Sequence, residues 1–365
     1  MKRNIKLGVV AAVLVFAACF AYGGWTTRAQ TQTPPPQGPT IGQHFKNIKV
    51  LNDVPADQLG KIMNIFNASL GVDCSFCHNT KDYTSDEKRE KQTARKMIAM
   101  TFDINKASFN GRPQVSCNSC HNGHNEPSAA PNLWPTAEAE QPKQPDTKPT
   151  GDQILANYVT AVGGADKLGK VTSRHITANR VEPDGKTEPE DIWQQGTKLR
   201  VATTYAEPNN VTITAGYNGT DAWMNSTGQP LHVSPDDLDR LKISTQILFA
   251  PDLKSIYTKL EYRFTDQIDG KPVYLVTATL PNNQVDRLAF DIATGLLVRR
   301  TSIARTALGS FVWQWDFSDY KDFGGVKIPT TIKIAQPGQR FTRQITKVKI
   351  NAPITDASIF NEPKK

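Results

Sequence analysis

Cys74-Ser75-Phe76-Cys77-His78 and Cys117-Asn118-Ser119-Cys120-His121 are two copies of one five-residue chemistry, and the rest of the chain reads outward from them. In each, two thiols one short turn apart can add to the two vinyl groups of a haem, and the adjacent histidine falls under the iron as its proximal ligand. The pattern is that of two covalently attached haem c groups. Cys74, Cys77, Cys117 and Cys120 are the attachment points, and His78 and His121 the iron ligands.

Two other chemistries compete for these cysteines. A four-cysteine zinc site usually sets its pairs roughly 15 to 20 residues apart and asks for no histidine directly after each pair; here 39 residues separate Cys77 from Cys117. Disulfides are allowed in an exported chain but leave both histidines unexplained. The chain has five cysteines, and the fifth, Cys19, lies in a segment of a different kind.

That segment is an export signal. Lys2, Arg3 and Lys6 precede an apolar run from Leu7 to Ala21, and Thr27-Arg28-Ala29 gives a small-x-small pattern suited to cleavage. Residues 1–29 therefore read as a signal peptide and the mature chain as periplasmic, the side of the membrane on which covalent haem attachment takes place. Phe16-Ala17-Ala18-Cys19 is a loose approximation to a lipoprotein cleavage box, so anchoring through a lipid on Cys19, or retention of the apolar run, is the alternative fate. No later apolar run is long enough to cross a bilayer. The formal charge is +8, of which residues 1–29 carry four basic side chains and no acidic one, leaving +4. Haem propionates would cancel much of that, so charge gives no reason to expect a nucleic-acid partner.

Two proline-rich stretches divide the remainder. Residues 30–40 include Pro34-Pro35-Pro36 and form a spacer, and residues 128–150 are a second linker too poor in large apolar side chains to fold alone. Residues 41–127 between them hold all four mature cysteines, and residues 151–365 follow as a separate domain. Within 41–127, Pro55 starts a helix that Gly71 ends, with Leu59, Ile62, Met63, Phe66 and Leu70 on one face. A second helix opens at a Thr84-x-x-Glu87 capping pattern and runs through Ala94, Met97, Ile98, Met100 and Ile104 towards Gly111. Each leads into a Cys-x-x-Cys-His motif.

An electron-transfer haem generally needs a sixth ligand, supplied by methionine or histidine. A single methionine at helical spacing is ordinarily core. Of the five in the chain, however, Met63, Met97 and Met100 are confined to these two helices. Met63 is the expected distal ligand of the first haem; Met97 and Met100, three apart on one face, compete for the second. His44 and His124 are expected in solvated or structural roles.

The run Phe45-Lys46-Asn47-Ile48-Lys49-Val50-Leu51-Asn52-Asp53-Val54-Pro55, then Met63, Ser69-Leu70-Gly71-Val72-Asp73 before the first motif, and Ala94-Arg95-Lys96-Met97 with Asp103-Ile104-Asn105 before the second, resembles the cytochrome c subunit of photosynthetic reaction centres over residues 41 to 127. That subunit usually carries four haems in two pairs, each on a helix, turn and attachment motif, and passes electrons to an oxidised photopigment. The resemblance implies a distal-ligand position at Met63 and another at Met97, which is thereby preferred over Met100. This chain has one pair of motifs, so a four-haem wire is not implied.

Beyond Gly151 a short amphipathic helix with Ile154, Leu155, Tyr158 and Val162 stops at Gly163-Gly164, and strand signals then dominate. Thr172 to Arg180, Lys198 to Tyr205, Val211 to Tyr217, Leu260 to Phe264, Val273 to Leu280, Leu288 to Ile292, Leu296 to Ile303, Phe311 to Phe317, Thr331 to Ala335 and Arg340 to Ile350 are rich in β-branched and aromatic residues. A helix is expected near Pro235 to Leu248. Phe311-Val312-Trp313-Gln314-Trp315-Asp316-Phe317 alternates as a strand with one covered face requires. With Asp319-Tyr320-x-x-Phe323-Gly324-Gly325-Val326-Lys327-Ile328-Pro329, the layout is similar to the half-barrel of periplasmic lipoprotein-carrier proteins, which implies a sheet wrapped around helices and an apolar ligand as one use of it. His175, His232, Asp236 and Asp237 form no recognisable catalytic set.

The expected fold class is two domains: a mainly α multihaem cytochrome c unit, then an antiparallel β half-barrel-like domain with a few helices. The expected function is periplasmic, dihaem, outer-sphere electron transfer between redox partner proteins, membrane-bound ones among them, without catalysis. Its rivals are a peroxidase-like haem enzyme, which needs a distal acid/base group that nothing near the motifs supplies, and a lipid- or quinone-binding protein with redox-active haems.

Overall fold

The computed structural model describes residues 38–127, 144–206, 210–227, 243 and 253–363. The signal segment, Cys19, most of the 128–150 linker, His232, Asp236, Asp237 and all of the expected helix near 235–248 except residue 243 lie outside them.

Short-range hydrogen bonding sets the first elements. Helix α1 (Ile41–His44) begins in a reciprocal cap: Gln43 N–H donates to Thr40 Oγ1 and Thr40 N–H to Gln43 Oε1. A 3-10 turn, Ala56–Gln58, leads into α2 (Leu59–Leu70), which stops where Gly71 takes a left-handed φ of 67°. The first attachment motif is a one-turn helix, α3 (Cys74–Cys77), capped by the Asp73 carboxylate, which accepts from Ser75 N–H. Helix α4 (Arg89–Phe109) starts later than the Thr84 pattern suggests. Thr84 gives its N–H and hydroxyl to Asp82 and caps nothing, and the helix has no side-chain cap at Lys88. The second motif is again a single turn, α5 (Cys117–His121), capped by Ser116.

These helices are interwoven. Helix α2, which leads to the first motif, packs on α5, whereas α4, which leads to the second, packs on α3. The strands of the weave meet at two glycines: Gly123 N–H donates to Ser69 O at 2.8 Å, and a Cβ on Gly71 would lie 2.2 Å from Gly123 O. Gly71 has no room for a side chain that keeps the contact, while Gly123 is held to glycine by its φ of 87° rather than by space.

Helices α6 (Gly151–Ala161) and α7 (Ala165–Gly169) precede twelve strands: β1 (Ser173–Val181), β2 (Thr187–Gln195), β3 (Lys198–Tyr205), β4 (Val211–Tyr217), β5 (Ala222–Ser226), β6 (Lys259–Ile268), β7 (Lys271–Thr279), β8 (Val285–Asp291), β9 (Leu297–Thr306), β10 (Gly309–Phe323), β11 (Val326–Gln336) and β12 (Gln339–Ile350). They form one sheet in the order β5-β4-β3-β2-β1-β12-β11-β10-β9-β8-β7-β6. Strands adjacent in sequence pair antiparallel within β1 to β5 and within β6 to β12, β5 and β6 are the two edges, and the one non-sequential seam is the antiparallel pair β1–β12. The larger core sets Ile154, Leu155, Tyr158 and Val162 of α6 against β7 to β12, through Val276, Leu288, Phe290, Phe317, Val326 and Ile328.

The expected mainly α unit followed by a β domain needs correction. Strand accounts for 41% of the structure and helix for 26%, with the twelve-stranded sheet dominant. The physical reason is that the attachment motifs make only single turns, and the lead helices do not close a core of their own. Ile65 of α2 packs with Ala304, Phe311 and Trp313 of the β9–β10 hairpin. Leu308, at the hairpin tip and 0% exposed, completes the cluster of Ile41, Leu51, Val54, Ile62 and Ile98. The described residues from Gly38 onward accordingly form one compact unit.

Truncating that tip, Leu308→Ala, is expected to cost about 2–5 kcal/mol, as deletion of a buried leucine side chain does. The exposed Val285→Ala should fall within about 0.5 kcal/mol of the parent. Urea titration of both variants checks the difference.

Candidate functional site

The four cysteines are free thiols: Cys74 and Cys120 exposed, Cys77 and Cys117 half-buried. They make no disulfide. Among the described residues no group of three or more His, Cys, Asp or Glu side chains could hold a metal ion, so the two pairs do not converge on a zinc site. Asn67, one turn before the end of α2, points its Nδ2 at Cys74 Sγ, 3.6 Å away. Burial pushes the Cys117 thiol up to about 11 and raises Cys77 as well, with the Glu90 carboxylate adding to the latter.

The histidines differ. His121 Nδ1 lies 2.9 Å from His124 O. A carbonyl only accepts, so this contact places the proton on Nδ1 and leaves the lone pair on Nε2, the arrangement of a metal-ligating imidazole held from behind. The Asn122-Gly123 pair makes it: both residues take positive φ, 45° and 87°, and turn the chain so that His124 presents its backbone to the ring. His78 Nδ1 is buried with no hydrogen-bond partner among the described residues. Burial lowers the His78 pKa, followed by the positive charges of Lys91 and Arg95, which favours the neutral ring that can act as a ligand.

The loop over His78 is pinned by charge. Asp86 takes a hydrogen bond from Asn47 Nδ2 at 2.8 Å and ion pairs from Arg95 at 3.0 Å and Lys91 at 3.2 Å. The Arg95 guanidinium, then Lys91 and Asn47, holds its carboxyl well below the usual range. Lys91 also donates to Tyr83 O and Ser85 O, and the Tyr83 ring lies 5.4 Å from that of His78.

The three methionines separate. Met63 is half-buried against the Leu308 cluster, while Met97 and Met100 are 38% and 43% exposed on α4. The buried line of α4 is instead Lys91, Ile98, Thr101 and Asn105. His44 is exposed on α1 and edge-on to Phe45. His175, in the sheet, stacks on Trp193 at 3.9 Å and meets Asp191 at 2.7 Å, far along the chain from either motif.

The donor set fits covalently held haem: paired free thiols, a histidine directly after each pair, and exposed apolar surface from Phe76, Tyr83, Met97 and Met100 of the kind a porphyrin ring covers. Sequence reasoning missed the His124 carbonyl, which the Asn-Gly pair signals, and the hairpin tip, which nothing near the motifs signals.

A family model for the photosynthetic reaction centre cytochrome C subunit matches residues 25–227. Cytochrome c-554 of Chloroflexus aurantiacus is 31% identical over 128 residues, 33% of this chain and 30% of that protein. The photosynthetic reaction center cytochrome c subunit of Roseobacter denitrificans is 31% identical over 106 residues, 26% of this chain and 29% of that one. The chain thus spans less than a third of the length of these curated relatives. Among solved structures, a LolA superfamily protein of Nitrosomonas europaea aligns with a TM-score of 0.38 at 13% identity, covering 59% of this chain and 99% of that one. A DUF1329 family protein of Desulfovibrio piger aligns at 0.36 and 14%, covering 57% and 97%.

In haem-free chain, Cys117 should alkylate more slowly than Cys74 and Cys120. A rise from 9.0 to about 11 leaves it about a hundredfold less thiolate near pH 8. Its rate should keep climbing with pH until the pH passes about 11. Mass spectrometry of timed iodoacetamide reactions reads both effects.

Proposed function

From its membership of the photosynthetic reaction centre cytochrome c subunit family, to which the chain belongs, we propose that this protein is a dihaem c-type cytochrome that passes single electrons between redox partners. The observation that carries the reading is the pair of one-turn Cys-x-x-Cys-His helices whose thiols are free. Bound there, haem supplies a reversible one-electron couple.

The chain supplies the rest. Cys74 and Cys77 hold the first group and Cys117 and Cys120 the second, while His78 and His121 are the proximal ligands. The His124 carbonyl orients His121, and the Asp86 network fixes the loop over His78. Met63 is assigned to the first iron and Met97, with Met100 its competitor, to the second. Six-coordinate irons exchange electrons without binding substrate, so the expected chemistry is outer-sphere transfer.

Export to the periplasm follows from the segment at residues 1–29, with redox proteins at or near a membrane as partners. Among the described residues no helix is long and apolar enough to cross a membrane. The sheet serves in this reading as the body on which the haem segment is mounted.

Purified protein should give two haems per chain by pyridine haemochrome, with spectra unmoved by carbon monoxide in the reduced state. Met63→Ala should open one iron to carbon monoxide and lower the potential of that haem alone. An unchanged spectrum and potential would remove Met63 from the ligand set, and a parent protein that binds carbon monoxide at one iron would replace the carrier by an enzyme or sensor.

A further inference from the structure

The tip of the β9–β10 hairpin lies far in sequence from both motifs yet touches the supports of each. Ala307 N–H donates to Gln58 Oε1 at 3.1 Å, immediately before α2. Leu308 fills the cluster that includes Ile62 and, at its margin, Met63. Gly309 sits against Ser116, the N-cap residue directly before Cys117, and a Cβ there would fall 2.9 Å from Ser116 Cβ. The tip is itself braced: Thr306 Oγ1 donates to Gly309 O at 2.9 Å and accepts from Leu308 N–H at 3.3 Å. Behind it, Phe311 and Trp313 carry Ile65, two residues beyond Met63.

We propose that Leu308 and Gly309 are positioning residues of the haem pair. The sheet sets the placement of the Met63 helix through Leu308 and that of the second attachment turn through Gly309, and so tunes ligation at irons it does not touch. The proposal rests on the two-haem reading. It differs from a general stabilising role in what it moves: small displacements of a distal methionine or a proximal histidine change the iron's potential and its access to exogenous ligand, whereas loss of stability alone changes neither in the folded protein.

The test uses the full, haem-loaded chain. Gly309→Ala adds a Cβ where φ is +137° and Ser116 blocks it. Gly270→Ala, in the β6–β7 turn with φ +76° and nothing within 4 Å, places an alanine at positive φ without a steric clash and away from both motifs, so it controls for a glycine-to-alanine change in a sheet turn. Haem content is counted first; fewer than two per parent chain overturns the two-haem reading, independently of the hairpin. With two haems present, spectroelectrochemical titration should show Gly309→Ala shifting one haem's reduced-to-oxidised ratio by threefold or more at fixed potential, with Gly270→Ala leaving both unchanged. Gln58→Ala, which removes only the hydrogen bond to Ala307, is read the same way and decides the matter should Gly309→Ala not fold. Parent-like potentials and carbon monoxide response in the folded hairpin variants, or an equal shift in Gly270→Ala, would overturn the proposal.

Discussion

Phe311, Trp313, Trp315 and Phe317 alternate along β10 and so share one face of the sheet, and two of the apolar clusters assemble on that row. Phe317 belongs to the core under α6, Phe311 and Trp313 to the contact with α2, and Trp315 packs against both. A helical segment too thin to bury its own faces thereby gains a wall of aromatic surface. The twelve-stranded sheet is broad enough to offer that wall beside its own helices.

The sheet is also where charge is buried. Arg300 and Asp286, each about 1% exposed, pair at 2.9 Å with Tyr257 donating to the same carboxylate, and the Arg300 guanidinium lies over Trp315 at 4.4 Å. On β2, Glu190 bonds to Arg343 of β12 and accepts from Thr203 of β3, an interaction of ions and hydroxyl that links the two arms of the sheet across the β1–β12 seam. Breaking one partner of such a pair leaves a buried charge, which destabilises strongly.

What the sequence disclosed follows from where chemistry is local. The attachment motifs, the Gly71 stop and strands such as Lys198–Tyr205 and Val211–Tyr217 are written in adjacent residues, and they stand where the pattern places them. Strand β2 was hidden because its inward positions are Glu188, Glu190, Ile192 and Gln194: its buried face is mostly polar, with Glu188 accepting from Ala206 N–H and Glu190 from Arg343, so no apolar alternation marks it. The weave of α2 with α5 depends on Gly71 meeting Gly123, a tertiary closeness that neither glycine announces. The exposure of Met97 and Met100 was equally illegible, because hydrophobic spacing marks a face without saying what covers it. The helical segment's dependence on Leu308 lies beyond any window of sequence.

That dependence orders events in time. The contact between Gln58 and Ala307 spans 249 residues, and chains become available to fold from their N-terminal side. Contacts of such long range form late, since a large loop must close before they are rewarded. Both Cys-x-x-Cys-His turns precede β9 and β10 along the chain, and the contacts of the hairpin with their supports belong to the late stage of folding. Closure of the hairpin onto the two helices is thus delayed by the length of the chain itself, and the hairpin acts as a latch on a segment that precedes it by most of the molecule.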